Sequence, residues 1–303
     1  MKYAFFKGEI VPFQDAKISV MTHAFNYGTG VFEGIRGYYN TEKKQMFILK
    51  LKEHYERFLR SCRVLKMKPR LTVEKLCQVT LELAKKNSYH EDVYIRPLAY
   101  KSDEKIGLGL TGIGDDLCIF LSPFGEYLDI SKGIRVCTST WRRIDDISVP
   151  ARAKVTGSYI NSSLAKSDAI ESGFAEAIML SHDGHVAEGS GENIFMVRSG
   201  KLITPPVTDN ILEGITRETI MELAKDKLGL DTVERSIDKS ELYMADELFF
   251  TGTGAQVSPI IEVDRHMVGD GAMGPITQKL QKAYFIAARG EDHKYPHWVT
   301  PVY

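Results

Sequence analysis

The sequence predicts a two-domain protein of the α/β class whose first third reads as α+β. Three observations lead there. A chain of 303 residues is longer than one ordinary core requires. Short strand-like runs alternate with amphipathic helices along its length. The stretch from Pro123 to Lys132, with Pro123, Gly125 and few apolar residues, breaks that pattern and reads as a linker. The expected division is residues 1–122 as a small N-terminal domain, 123–132 as an interdomain loop, and 133–303 as the larger C-terminal domain.

Strand-like runs occupy Tyr3 to Phe47. Leu51 to Leu65 reads as a helix, because Tyr55, Phe58, Leu59, Cys62 and Leu65 share one stripe. Pro69 interrupts. Thr72 is the expected N-cap of a second helix to about Lys86, with Val73, Leu76, Val79, Thr80 and Leu83 inward. Val93 to Tyr100, Leu117 to Leu121 and Ile134 to Thr140 read as strands. Ser158 to Glu171 reads as a helix stopped by Gly173. Strands from Ala175 to Leu180 and from Val186 onward flank Asp183-Gly184, which predicts a tight hairpin. Thr216 to Leu228 is a helix with Gly229 at its C-terminal cap. Asp238 and Glu241 have capping-box spacing before a short helix. Glu247 to Thr251 is a strand running into Gly252-Thr253-Gly254, and Pro275 to Ala288 is a last helix.

Hydrophobic residues make up 43% and charged residues 26%, the balance of a soluble globular protein. A net charge of -1 gives no general attraction to nucleic acid or to an anionic membrane, so any anion must be recognised locally. Cys62, Cys77, Cys118 and Cys137 form no C-x-x-C pair and no zinc pattern. They read as reduced core thiols, and no metal is expected. No apolar run approaches the roughly 20 residues that span a bilayer, and Met1 to Ile10 lacks the apolar core of a secretion signal. A complete cytoplasmic protein is the expectation.

Three motifs fail on context. Gly107-Leu-Gly-Leu-Thr-Gly112 matches a dinucleotide fingerprint, but a strand follows it where a helix is required, so it reads as a loop. His182 and His185 flank a turn with no third metal ligand. Gly189-Ser190-Gly191 lacks the spacing of a hydrolase nucleophile elbow.

Other features point to an anion. Glu213-Gly214-Ile215-Thr216 precedes a good helix, whose first N–H groups are unpaired and lie at the positive end of its dipole. That is a phosphate seat or an ordinary N-cap. Thr251-Gly252-Thr253-Gly254 at a strand end is a second donor-rich turn, or simply a turn. Arg57 matters only if those turns fold near it. Lys154 lies among small residues before a helix, where desolvation would make its amine a better nucleophile toward a carbonyl, though spacing alone does not decide this. Glu188 and Glu192 flank a glycine turn, as catalytic groups or as surface residues.

Together these segments are recognisable. Tyr27-Gly-Thr-Gly-Val-Phe-Glu-Gly-Ile-Arg36, Tyr94-Ile-Arg-Pro97, Gly125-Glu-Tyr-Leu128, the Lys154 segment, Glu188-Gly-Ser-Gly-Glu-Asn193, Leu212-Glu-Gly-Ile-Thr-Arg217 and Gly252-Thr253 stand in one order along nearly the whole chain. In this the chain resembles the class IV, or fold-type IV, pyridoxal-phosphate aminotransferases, and most closely the branched-chain amino acid aminotransferases. The resemblance implies a two-domain fold-type IV enzyme with pyridoxal 5'-phosphate at the domain interface. Lys154 would bind the cofactor aldehyde and then shuttle a proton. Glu188 would keep the pyridine nitrogen protonated, and Tyr159 would hydrogen-bond the ring O3′. Arg57, Ile215, Thr216 and Thr253 would hold the phosphate.

The resemblance also implies the substrate side. Tyr27, Phe32, Tyr94 and Tyr127 match positions that shape an apolar pocket and orient the α-carboxylate, with backbone donors from Thr253 and Gly254. Arg36 and Arg96 match polar positions around the site, and Arg96 is the candidate for the distal carboxylate of 2-oxoglutarate. The linker from Pro123 to Lys132 matches a mobile loop that closes over substrate. Family members form homodimers or higher homo-oligomers. Departures from the common pattern occur in the lysine segment, in Trp141-Arg-Arg-Ile-Asp-Asp-Ile, in Gly254-Ala-Gln256 and at Phe124. All are expected near the substrate and none at the cofactor.

The reading favoured is transamination of L-leucine, L-isoleucine or L-valine with 2-oxoglutarate. A D-amino acid or (R)-amine aminotransferase, or an aminodeoxychorismate lyase, is the alternative on the same scaffold. A nucleotide-dependent protein using Gly107 to Gly112 is the reading from another class.

Overall fold

The structure, a computed structural model, describes residues 1–303. The chain forms two compact units. The first comprises Met1–Gly125, Ala153–Ser158 and Ile286–Tyr303, and the second Glu126–Arg152 and Tyr159–Phe285. The first unit therefore takes in two segments that a single division at 123–132 leaves out. Pairing explains both. Val155 bridges Val31, and the C-terminal strand Val299–Pro301 pairs with a strand from the start of the chain.

In the first unit the elements are β1 (Tyr3–Phe6), β2 (Glu9–Pro12), α1 (His23–Tyr27), β3 (Gly30–Phe32), β4 (Ile35–Asn40), β5 (Gln45–Leu49), α2 (Leu51–Val64), α3 (Val73–Asn87), β6 (Val93–Lys101) and β7 (Asp115–Pro123). The strands form an antiparallel sheet ordered Val299–Pro301, β5, β4, β6, β7, β1, β2, with β3 beside β6. The stripe expected on α2 is its core face: Tyr55, Phe58 and Cys62 are fully buried, with Leu59 and Leu65 packed beside them. Each large apolar side chain removed from water there contributes about 1.5–3 kcal/mol. Thr72 caps α3 by accepting from Lys75 N at 3.3 Å. In β6, Val93, Ile95 and Pro97 are buried, while Tyr94, Arg96 and Leu98 share the other, half-buried face.

The second unit holds β8 (Ile134–Thr138), α4 (Tyr159–Glu171), β9 (Glu176–Leu180), β10 (Val186–Gly189), β11 (Asn193–Arg198), β12 (Lys201–Thr204), α5 (Ile215–Leu228), β13 (Thr232–Glu234), β14 (Glu247–Gly252), β15 (Gln256–Val263), β16 (His266–Met267) and α6 (Pro275–Ala288). Its mixed sheet runs β10-β9-β8-β15-β14-β11-β12-β13, with β16 on β15. Pairs β8/β9, β8/β15 and β12/β13 are parallel. Gly229 closes α5 in the left-handed conformation at φ 66°, and Asp238 with Glu241 forms the expected capping box. The hairpin expected at Asp183-Gly184 is present: Gly184 N donates to Ser181 O at 3.1 Å and Ser181 N to His185 O at 2.8 Å, Gly184 takes φ 93°, and Leu180 pairs with Val186 beyond the turn. No helix is long and apolar enough to cross a membrane.

Candidate active site

In the first unit the segment around Lys154 is held against β3 and α2. Phe32 N donates to Lys154 O at 3.0 Å, and Lys154 N donates to Ser61 Oγ of α2 at 3.2 Å. Thr156 Oγ1 accepts from Gly30 N at 3.1 Å and donates to Gly28 O at 2.8 Å. The lysine segment is thus fastened on both sides although Lys154 belongs to no helix or strand. The Lys154 ammonium lies 5.1 Å from the centre of the Phe32 ring. The Arg96 guanidinium lies 4.3 Å from the same ring, and its Nη2 donates to Tyr94 Oη at 2.8 Å. A buried aromatic ring is therefore shared by two cations. Gly34 is required beside them, since a Cβ there would lie 2.2 Å from the Tyr94 hydroxyl.

Arg57 is buried on α2 and forks onto the Glu33 carboxylate, Nε to Oε1 and Nη2 to Oε2, both at 2.8 Å. His54 Nδ1 meets Oε2 at 2.8 Å. Burial alone would raise the Glu33 carboxyl, but Arg57 and His54 outweigh it and hold it well below the usual carboxylate range. Burial lowers the His54 pKa, with Glu33 opposing. Neither Glu33 nor His54 was singled out from sequence.

Two residues expected near substrate make other contacts. Arg36 Nη2 donates to the carbonyls of Phe124 (3.0 Å) and Gly125 (2.7 Å), so this side chain fastens the end of β7. The Tyr27 hydroxyl accepts from Gly107 N at 3.1 Å, and His23 Nε2 meets Gly107 O at 2.8 Å. Gly107 to Gly112 is a loop between β6 and β7.

The second unit centres on Glu188 of β10, which is 5% exposed. Arg143 Nε approaches Oε1 at 2.9 Å, while Asn193 Nδ2 (3.0 Å) and Leu212 N (3.2 Å) donate to Oε2. Asn193 Nδ2 also reaches Leu212 O at 2.9 Å. The segment Trp141 to Ile147 therefore bears on Glu188 through Arg143, which corrects the expectation that this departure concerns substrate alone. Two residues after Leu212, Gly214 caps α5 without any side-chain hydrogen bond. The N–H groups of Ile215 and Thr216 thus open the helix at its positive end. A Cβ on Gly214 would fall 1.9 Å from Asn193 Oδ1, so only glycine fits this approach. Thr253 and Gly254 form the turn between β14 and β15, and Asn193 of β11 is paired with Thr251 of β14. A Cβ on Gly254 would touch the Tyr127 ring at 3.6 Å. Tyr159 is the first residue of α4.

The donor chemistry in each unit suits pyridoxal phosphate: a lysine amine in the first, and in the second an uncapped helix start where a side chain would obstruct and a buried carboxylate locked by three donors. A profile of the family Amino-transferase class IV matches residues 30–263. The chain belongs to the class IV aminotransferases. It is an aminotransferase, and the cofactor of this family, pyridoxal phosphate, is its cofactor. The chain is 52% identical over 303 residues to the probable branched-chain-amino-acid aminotransferase of Aquifex aeolicus, covering 100% of this chain and 97% of that one. Among solved structures it resembles the branched-chain amino acid aminotransferase of Thermobaculum terrenum in its PLP form, with TM-score 0.95 and 40% identity over 100% of this chain and 98% of that one. It also resembles the T.th. branched-chain amino acid aminotransferase complexed with N-(5'-phosphopyridoxyl)-L-glutamate, with TM-score 0.94 and 38% identity over 99% of this chain and 98% of that one. Class IV aminotransferases thus share this chain's fold over its full length.

Of the two histidines that flank the Asp183-Gly184 turn, His185 meets Asp183 through Nδ1 and Oδ2 at 3.0 Å.

Proposed function

We propose that this class IV aminotransferase moves the amino group of L-leucine, L-isoleucine or L-valine to 2-oxoglutarate, giving the branched-chain 2-oxo acids and L-glutamate. The observation that carries the reading is the Phe32 ring with Lys154 and Arg96 both against it. An apolar face suits an aliphatic side chain, and a guanidinium beside it suits the second carboxylate of a dicarboxylate acceptor. The names of the Aquifex relative and of both related structures support the donor class, and the phosphopyridoxyl-L-glutamate complex supports the acceptor.

Lys154 would hold the cofactor, and its amine is the base that would take the proton from the substrate α-carbon. When bound, the cofactor supplies an electron sink for that carbon. Glu188, held by Arg143, Asn193 and Leu212 N, would keep a proton on the ring nitrogen, and Tyr159 would hydrogen-bond O3′. Ile215, Thr216, Thr253 and Arg57 would hold the phosphate. Thr253 and Gly254 offer backbone donors to the α-carboxylate. Tyr27, Phe32, Tyr94 and Tyr127 line the substrate, with Arg36 supporting from behind through Phe124 and Gly125. The enzyme works in the cytoplasm as a homodimer or larger homo-oligomer. Support for association comes from Val20, Phe25, Ile106 and Leu108 of the first unit, which are 64–80% exposed yet apolar.

A panel of amino donors tests the substrate. L-leucine, L-isoleucine and L-valine should react with 2-oxoglutarate. Reaction of D-alanine with inert L-leucine and L-valine would overturn the assignment. Borohydride should fix the cofactor to Lys154. Lys154→Ala should abolish turnover and this labelling while the folded protein still binds cofactor.

A further inference from the structure

We infer that Glu33 is a positioning residue that aims Arg57 at the cofactor phosphate. The inference rests on the reading of Arg57 as a phosphate ligand and goes beyond it.

The geometry is that of a built device. Glu33 is 0% exposed and sits between Phe32 and Gly34, its backbone held by Pro97 O, which accepts from Glu33 N at 3.0 Å. Its two oxygens receive three side-chain donors, all at 2.8 Å: Arg57 Nε, Arg57 Nη2 and His54 Nδ1. A fork-on-fork pair fixes the plane of a guanidinium as well as its distance. Holding the Nε–Nη2 edge therefore sets the direction of the opposite edge, which carries Nη1. An arginine anchored at one edge loses little side-chain freedom when an anion meets the other.

The same helix face makes the connection to the lysine. His54, Arg57 and Ser61 lie three and four residues apart on α2 and are all buried. Ser61 Oγ accepts from Lys154 N. The carboxylate, the arginine and the backbone of the lysine are thus registered by one rigid element. With His54 neutral, the triad of Glu33, His54 and Arg57 carries no net charge. Buried ion pairs stabilise poorly compared with apolar residues of similar size. Stability alone gives no reason for three polar side chains at this depth, whereas fixing a cation for a dianionic ligand does.

The test compares pyridoxal phosphate with pyridoxal, which lacks the phosphate, in binding to the apoprotein followed by absorbance. Glu33→Gln should weaken pyridoxal phosphate at least tenfold and leave pyridoxal within about threefold. Arg57→Met should do the same. The double variant Glu33→Gln/Arg57→Met, which leaves no unpaired buried charge, should be no worse than Arg57→Met. Glu33→Asp keeps the charge but draws it back by one methylene, and should fall between wild type and Glu33→Gln. If Glu33→Gln does not fold, Glu33→Asp and the double variant carry the comparison. Equal loss for both ligands in the Glu33 variants, or losses that add in the double variant, would overturn the positioning role while leaving Arg57 as phosphate ligand. Unchanged pyridoxal phosphate binding in Arg57→Met would instead remove the phosphate reading itself, and the inference with it.

Discussion

Gly214→Ala isolates the join between the Glu188 carboxylate and the start of α5. The backbone there, φ -73° and ψ 129°, is open to alanine, so the substitution adds no backbone strain. All of its effect comes from the new Cβ, which would lie 1.9 Å from Asn193 Oδ1 and 3.2 Å from Arg217 Cβ. Restoring an ordinary contact of about 3.4 Å requires Asn193 to retreat by about 1.5 Å (3.4 minus 1.9). A shift of that size breaks both bonds from Asn193 Nδ2, one to Glu188 at 3.0 Å and one to Leu212 O at 2.9 Å. One charge-assisted and one neutral hydrogen bond together contribute about 3 kcal/mol. Removing a glycine from the unfolded chain offsets about 0.7 kcal/mol of this. The net loss, about 2 kcal/mol, lowers Tm by roughly 4 °C in a chain of this length. The assay is thermal melting of the apoprotein together with pyridoxal phosphate titration, where affinity should also fall because Glu188 loses a donor. A variant that melts within about 1 °C of wild type and binds cofactor equally would refute the reasoning. So would an Asn193→Ala/Gly214→Ala double variant less stable than Asn193→Ala, since the obstacle would then lie elsewhere.

Glu192 sets a pH dependence. It is buried under the β10–β11 turn, with Gly191 N donating to Oε2 at 3.0 Å, and faces Glu176, Lys166 and Glu188. Burial, with the Glu176 charge adding to it, pushes its carboxyl up to about 8. Because the folded state holds this proton more tightly than the unfolded chain, stability is lost as pH rises from about 4.5 through about 8, by about 1.4 kcal/mol for each pH step of one between those values. Glu192→Gln should therefore gain Tm over wild type progressively across that window, and a pH-independent difference in melting would contradict the assignment. Arg96→Met should raise KM for 2-oxoglutarate at least tenfold, the equivalent of about 1.4 kcal/mol, with KM for L-leucine within about threefold. Steady-state kinetics with each substrate varied decides this, and a parallel rise in both constants would show that Arg96 acts on the pocket as a whole.

The helices were legible because their signals are local. The α2 stripe, the Thr72 cap, the Asp238 capping box and Gly229 each need only neighbours within a turn or two. The strands β11, β12 and β15 were not, because they are buried on both faces and offer no alternation to read. The helix α1 escaped for a different reason, having only one buried residue, His23. In the candidate site, the helix start at Ile215 was visible as glycine before a periodic run. Glu33 and His54 were not, since what marks them is a meeting of three side chains 21 and 24 residues apart. Arg143 was hidden in a segment noticed only for its departure from the common pattern. Its bond to Glu188 joins residues whose separation carries no sequence period.

The placement of Val299–Pro301 at the edge of the first sheet has a consequence for how the chain comes into being. During synthesis β5 emerges 250 residues (299 minus 49) before the strand that pairs with it. Gly30 likewise waits for Thr156, 126 residues later, before the backbone around Lys154 can be fastened. Until those residues follow, the growing chain carries β5 without that neighbour, an uncovered sheet edge that exposes the first unit to misassociation. Refolding from denaturant should accordingly show the first unit closing slowly and late, limited by the return of distant segments rather than by its own helices.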